Sequence, residues 1–304
     1  MILRSVLLWL SRQRWLGHWI ETSRASQKLI RRFIAGRTLE EGLGVCRRLK
    51  AESTLATLDI LGENVTSAAE ARKSAEAYQE ALRTMAAAEL AATVSIKLTQ
   101  FGLDVSEADC HENVMALAAL AASLGTRVEI DMESSGYVDR TLSMVRSTHR
   151  RHGNVRAVIQ AYLFRSADDI AGLCRDRIPV RLCKGAYLEP PEVAFPNKGD
   201  VDRNYLELAR RLVEDGVDPA FATHDERMLR PILESAGRHK LPKDAFEIQM
   251  LYGIRRDIQR RLIAGGYRLR LYVPYGVAWY PYLMRRLGER PANLKFLLRS
   301  LLRA

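Results

Sequence analysis

The chain has 304 residues, is 47% hydrophobic and carries 47 basic against 36 acidic side chains, a net charge of +11. That is enough apolar material for a large core, and the basic surplus favours an anionic partner: nucleic acid, an anionic lipid surface or an acidic small molecule. No basic run is dense enough for a nucleic-acid arm, and the four cysteines form no CxxC pair, which argues against a zinc cluster and for a reducing, cytoplasmic setting.

Residues 1–35 read as two helices. Their apolar run Val6 to Leu10 is too short to span a bilayer, and the segment has no acid before Glu21. It reads either as an ordinary amphipathic start or as a transit peptide or a helix lying on a membrane. Gly36-Arg37-Thr38 breaks the pattern, and Thr38-Leu39-Glu40-Glu41 has the form of a capping box opening a helix to about Lys50. A rhythm of strand and helix follows. Leu55 to Leu61 reads as a strand and Ser67 to Glu89 as a helix. Thr93 to Phe101 alternates as a strand does, and the next helix lies around Val114 to Leu124. Arg127 to Met132, Ala157 to Phe164, Pro179 to Gly185 and Asp218 to His224 read as further strands, with helices over 138–150, 167–175 and 202–214 between them. A loop with three prolines, Glu189 to Asp200, precedes the last of these helices. After a helix to Ser235 come a strand Phe246 to Gly253, a helix Arg255 to Ala264 and a final strand Arg268 to Tyr275.

Eight βα units without a change of composition predict one domain, a TIM-like (β/α)8 barrel over residues 51–304 behind an N-terminal helical segment over 1–50. A doubly wound sheet is the alternative. It would place a glycine-rich dinucleotide loop after the first strand, whereas Gly42-Leu43-Gly44 lies in a helical stretch and lacks a third glycine. In such a barrel the C-terminal strand ends carry the active site. The polar residues there are Lys97, Asp131, Gln160, Arg181 with Lys184, Thr223 with His224, Gln249 and Tyr272. Seven strands each supplying one to an otherwise apolar run point to a shared cleft, since an unpaired polar group there costs several kcal/mol.

After the last strand, YVPYGVAWYPYLMRRLGERPAN turns at Pro274 and Gly276 and becomes a helix closed by Pro291. Tyr282, Arg285, Arg286 and Glu289 share one face of it. By itself this is either a solvated face or a paired-guanidinium grip for a carboxylate or phosphate. With Lys97, Arg181 and Lys184 it makes a cationic site with Asp131 as its clearest acid. Two chemistries fit: a Schiff-base lysine, Lys97 or Lys184, of a barrel aldolase, or a carboxylate substrate beside an anionic cofactor.

The strings SIKLTQFGLD, EIDMES, VIQAYL, VRLCKGAY, FATHD, FEIQMLYG and WYPYLMRRLGERPAN, in this order and spacing, resemble proline dehydrogenase from about residue 33 onward. The segments RLxKGAY and YxxRRxxE are the most specific. The resemblance is to the short monofunctional bacterial type, as no aldehyde dehydrogenase sequence follows Ala304. It implies oxidation of L-proline to Δ1-pyrroline-5-carboxylate by hydride transfer to FAD, with electrons passed to a membrane quinone, and a last helix lying over the barrel mouth. Residue by residue it implies that Lys97, Arg285 and Arg286 hold the substrate carboxylate and that Tyr272 and Tyr282 wall the pocket. Asp131 would organise the site and Arg181 would lie beside the reactive edge of the flavin. Met132, Gln160, Lys184, Gly185, Ala186, Thr223 and His224 would contact FAD. Leu188 and Val201 depart from the family pattern, which often has an aromatic and a threonine there. A quinone acceptor, the basic surplus and the Trp-bearing N-terminus together suit peripheral contact with the inner face of a membrane. Glu289 reads as the group that steadies the two arginines.

Arg285→Met and Arg286→Met are each expected to raise KM for proline more than about tenfold, as loss of a charge-assisted bond to a carboxylate does, while flavin stays bound. Steady-state kinetics check this, and unchanged saturation in both variants contradicts the assignment.

Overall fold

The computed structural model describes residues 32–62, 65–280 and 282. Eight short strands run parallel and close on themselves in sequence order: β1 (Leu55–Ile60), β2 (Ala92–Ile96), β3 (Val128–Ile130), β4 (Val155–Gln160), β5 (Val180–Cys183), β6 (Ala220–Ala222), β7 (Glu247–Leu251) and β8 (Leu269–Tyr275). Strands buried on both faces read as near-continuous apolar runs, and every residue of β2, β3 and β4 is buried. Closure is made by β1, where Thr57 stands opposite Thr93 of β2 on one side and Tyr272 of β8 on the other.

The expected strands overrun the observed ones at the barrel mouth. Past Ile96 and past Gln160 the chain turns, with the Phe101 amide bonding to the Leu98 carbonyl and the Leu163 amide to that of Gln160. Leu98, Phe101 and Leu163 stay buried beyond the strand ends, and Leu163 makes an isolated antiparallel bridge to Ala194. Gln249, expected at the mouth, donates to Glu247 at 2.9 Å and belongs to a deeper layer.

The described helices are α1 (Leu39–Ala51), α2 (Ala68–Ala87), α3 (Glu107–Ser123), α4 (Val138–His152), α5 (Ser166–Arg175), α6 (Lys198–Asp215), α7 (Glu226–Arg238) and α8 (Arg256–Ala264). The capping box at Thr38 and Glu41 forms as the sequence predicts. α3 starts at Glu107 rather than near Val114, because Ser106 caps it by accepting from the Asp109 amide. Helices α2 to α8 link successive strands, whereas α1 precedes the barrel and packs against both β1 and β8. Gly42 permits that approach: a Cβ there would lie 3.3 Å from the Tyr275 ring and 3.5 Å from Leu58. The Ala35 amide bonds to the Pro274 carbonyl and the Gly276 amide to that of Gly36, fastening the segment before α1 to the end of β8. The helices expected over most of 1–35, and the last helix expected over the mouth, lie outside the described residues apart from their inner ends.

Most (β/α)8 barrels fill their interior with branched apolar side chains. Here the interior is ionic. Arg156, fully buried, reaches Glu247 at 2.8 Å, Glu129 at 3.5 Å and Asp218 at 2.7 Å. Arg270 donates to both Glu247 oxygens at 2.8 and 2.9 Å and to the Ala56 carbonyl at 2.7 Å. Arg268 joins Glu247 at 2.7 Å. Carboxylates and guanidiniums pair along the strand register, since Glu129 stands opposite Arg156. Such a network is held by its own completeness, and removal of one partner leaves uncompensated buried charge.

Arg156→Leu, which strips a cation from Glu129, Glu247 and Asp218 together, is expected to lose about 3–5 kcal/mol of stability. Urea unfolding measures it.

Candidate active site

The mouth is organised around Asp131, the residue after β3. Its Oδ1 accepts from Ser95 at 2.7 Å and from Arg181 Nη1 at 2.8 Å, and its Oδ2 accepts from the Tyr272 phenol at 2.7 Å and from Lys97 Nζ at 3.4 Å. Groups from three strands, β2, β5 and β8, thus converge on a carboxylate at the end of a fourth, β3. Burial opposes its charge, but Lys97 and Arg181, with hydrogen bonds from Ser95 and Tyr272, outweigh burial and hold it below the usual carboxylate range. Tyr272 moves the other way. Burial, and then the charges of Asp131 and Asp59, keep its phenol protonated well above its ordinary value, so it donates to Asp131 throughout the physiological range.

Lys97 sits between two carboxylates, Asp59 and Asp131, each at 3.4 Å. Both favour the ammonium form. Lys184 forms an ion pair with Asp202 and lies 3.8 Å from Asp225. Each lysine is thus tied to two carboxylates, Lys97 to Asp59 and Asp131 and Lys184 to Asp202 and Asp225. Arg181 is almost fully buried and projects inward from β5. One terminal nitrogen contacts Asp131 and Ser95, and the other contacts Glu129. Its guanidinium stacks over the Tyr272 ring, 5.5 Å from the centroid.

A second group lies alongside. Gln160 donates to the Met132 carbonyl at 3.3 Å, while its Oε1 is buried without a hydrogen-bond partner. Arg181 Nε is likewise buried without one. Gly185 has a positive φ of 108°, and a Cβ there would fall 2.2 Å from the Tyr162 ring. Only glycine fits that turn. Thr223 accepts from the Asp225 amide at 3.2 Å, and Asp225 in turn faces Lys184. His224 Nε2 accepts from the Leu251 amide at 2.8 Å, which makes Nδ1 the protonated nitrogen. Ala186 is half-buried and Met132 buried. Glu189 ties the loop after β5 to its neighbours, accepting from the Ser135 amide at 2.8 Å and from Tyr162 at 3.3 Å.

The structure therefore brings Lys97, Asp131, Arg181 and Tyr272 into one hydrogen-bonded cluster, with Gln160, Met132, Lys184, Gly185, Ala186, Thr223 and His224 around it at the same end of the barrel. Tyr282 is buried. Arg285, Arg286 and Glu289 lie outside the described residues. Sequence reading passed over Asp59, Ser95, Glu129, Asp202 and Asp225. The first three carry a legible signal, because Thr57-x-Asp59, Ser95-x-Lys97 and Glu129-x-Asp131 repeat at the strand period of two. With Asp59, β1 also contributes a polar group, so the mouth draws on every strand bar β7, whose Gln249 faces down.

The family model for proline dehydrogenase matches residues 43–299. Proline dehydrogenase 1 of Bacillus subtilis strain 168 is 39% identical over 303 residues, covering 99% of this chain and 100% of that protein. Proline dehydrogenase of Deinococcus radiodurans is 39% identical over 280 residues, 90% of each chain. Among solved structures, proline utilization A from Bdellovibrio bacteriovorus inactivated by N-propargylglycine superposes with a TM-score of 0.81 at 29% identity. It matches 86% of this chain, which spans 32% of that longer one.

Gly185→Ala forces either the Tyr162 ring or the 184–186 turn to move. If this turn cradles flavin, as the resemblance implies, the expected result is loss of most of it with little change in far-ultraviolet circular dichroism. A variant purified with wild-type flavin content contradicts the role given to this turn.

Proposed function

Because the chain belongs to the proline dehydrogenase family and is an oxidoreductase of proline catabolism, we propose that its barrel mouth oxidises L-proline to Δ1-pyrroline-5-carboxylate by hydride transfer to FAD. The observation that carries this reading is the convergence of Lys97, Arg181, Tyr272 and Ser95 on Asp131.

The chain's residues suit the cofactor. An unpaired buried acceptor, Gln160 Oε1, and an unpaired buried donor, Arg181 Nε, call for a ligand bearing both kinds of group. Lys184, Gly185, Ala186, Thr223, His224 and Met132 complete the set that would hold it. When bound, FAD supplies the two-electron acceptor for the reaction.

The protein's own work is position and charge. Lys97 carries three donors, and two point at Asp59 and Asp131. Its ammonium, so fixed, holds the substrate carboxylate together with Arg285 and Arg286. Fixing the carboxylate at one end sets the ring carbon beside nitrogen for transfer, and alignment of that kind contributes several kcal/mol. Arg181 is a permanent cation: Glu129 and Asp131 outweigh the effect of burial and raise its affinity for the proton. Its fixed charge favours negative charge developing nearby. Asp131 keeps Lys97, Arg181 and Tyr272 in register. The proline nitrogen must be neutral before hydride leaves the adjacent carbon. His224 Nε2 is engaged by the Leu251 amide, so the amine proton goes to solvent.

Electrons then pass to a quinone-type acceptor, and the chain acts in the cytoplasm, touching the inner face of the membrane peripherally. The net charge of +11 supports attraction to anionic lipid, and no helix among the described residues is long and apolar enough to cross a membrane.

An anaerobic visible spectrum taken before and after L-proline tests the reading. The purified protein is expected to be yellow and to bleach with proline. A colourless protein trapped covalently with substrate by borohydride would support the aldolase instead. Lys184→Ala, which removes the cation beside Asp202 and Asp225, is expected to purify with little flavin, and a fully yellow variant counts against it.

A further inference from the structure

We infer that Glu129 is a positioning residue for the reaction: a fully buried carboxylate that fixes the guanidinium of Arg181 from below and sets the charge it presents to the reacting site. The inference rests on the flavoenzyme reading above.

Glu129 lies on β3 two residues before Asp131 and points the same way, so the two carboxylates form consecutive steps inside the barrel. Both grip Arg181. Asp131 takes Nη1 at 2.8 Å and Glu129 takes Nη2. With both terminal nitrogens held, the plane of the guanidinium cannot turn, and Nε is left as its unpartnered buried donor. Asp131 alone would leave a hinge, whereas two carboxylates on two nitrogens leave none.

Glu129 is itself built to stay charged. It is wholly shielded from solvent. Burial would protonate it, yet Arg181, Arg156 and Arg270 outweigh burial and keep it below the usual carboxylate range. Thr93 at 3.1 Å and Thr57 at 3.4 Å donate to Oε1, and Arg156 lies 3.5 Å from that oxygen, leaving Oε2 to Arg181. Strands β1, β2, β4, β5 and β8 therefore converge on a carboxylate one layer beneath the mouth. Glu247 offers a natural comparison. It is equally buried and bonds to Arg156, Arg268 and Arg270, whereas Arg181 bonds to Glu129 and Asp131. A network needed only for stability would treat the two acids alike.

Glu129→Gln keeps shape and an acceptor oxygen while removing the charge. Flavin-loaded protein is read in two ways: rapid anaerobic mixing with proline, and a dye-coupled potential titration that needs no proline. The expected result is flavin reduction slowed ~10- to 100-fold, the range for loss of a supporting contact behind a reacting group, with proline saturation little changed. The flavin potential is expected to move positive, because a negative charge has left the neighbourhood of the site. Glu247→Gln is expected to lower thermal stability comparably while leaving rate and potential unchanged. An unchanged potential in Glu129→Gln, or an equal shift in Glu247→Gln, overturns the inference. If Glu129→Gln does not fold, Glu129→Asp is measured, which keeps the charge but shortens its reach. Slowed reduction at near wild-type potential supports the assignment, and a wild-type rate overturns it. A wild-type flavin that proline does not bleach sinks the proline reading instead, while the potential comparison still decides the role of Glu129.

Discussion

Ionised carboxylates inside the barrel are the constraint on which the rest depends. Asp131 must remain charged where water barely reaches, and it does so because a lysine and an arginine from other strands approach it while serine and phenol hydroxyls donate to it. Remove that charge and the pieces lose their common reference: Lys97 loses one of the two carboxylates beside it, Arg181 keeps Glu129 and Ser95, and Tyr272 loses the acceptor at its hydroxyl. The site is thus a set of cations ordered by an anion. A substrate carboxylate and an electron-rich product state both need positive charge that does not wander.

That arrangement extends downward. Beneath Asp131 lies Glu129, and beneath it Glu247 with Arg156, Arg270 and Arg268, then Asp218. Each carboxylate is shared by several guanidiniums, and each guanidinium by several carboxylates. An apolar filling of the same volume could match or exceed its stability, but apolar layers cannot fix the direction of an arginine at the mouth. The ionic interior holds its members in place because each is gripped by several others, and Glu129 carries that hold up to Arg181.

Much of this was legible in the chain. Eight strands, their order and the capping box at Thr38 follow from apolar periodicity and local side-chain chemistry, and both are local properties. Lys97, Asp131, Arg181 and Tyr272 announced themselves as polar interruptions of apolar runs. Asp59 and Glu129 sit in equally apolar runs, but a rule that takes the last polar residue of each strand does not reach the layer below it. Their partners could not be read at all. That Glu129 meets arginines from β4, β5 and β8 depends on strand register around a closed barrel, which the linear order does not display. Gln249 shows the converse error: a polar residue near a strand end belonged to the lower layer because its amide found Glu247.

The packing of α1 across the β8–β1 seam has a consequence for how the molecule is made. A chain emerging from a ribosome presents α1 and β1 first and β8 among the last of the described segments. Neither α1 nor β1 can find its β8 partner until Tyr275 is out, so the wall stays open through nearly all of synthesis. Closure is a single late event between segments far apart along the chain, and such long-range events are slow. In the interval the unpaired edge of β1 and the face of α1 that will meet Tyr275 stand exposed to other chains. The Ala35–Pro274 and Gly36–Gly276 hydrogen bonds are the latch that ends that exposure.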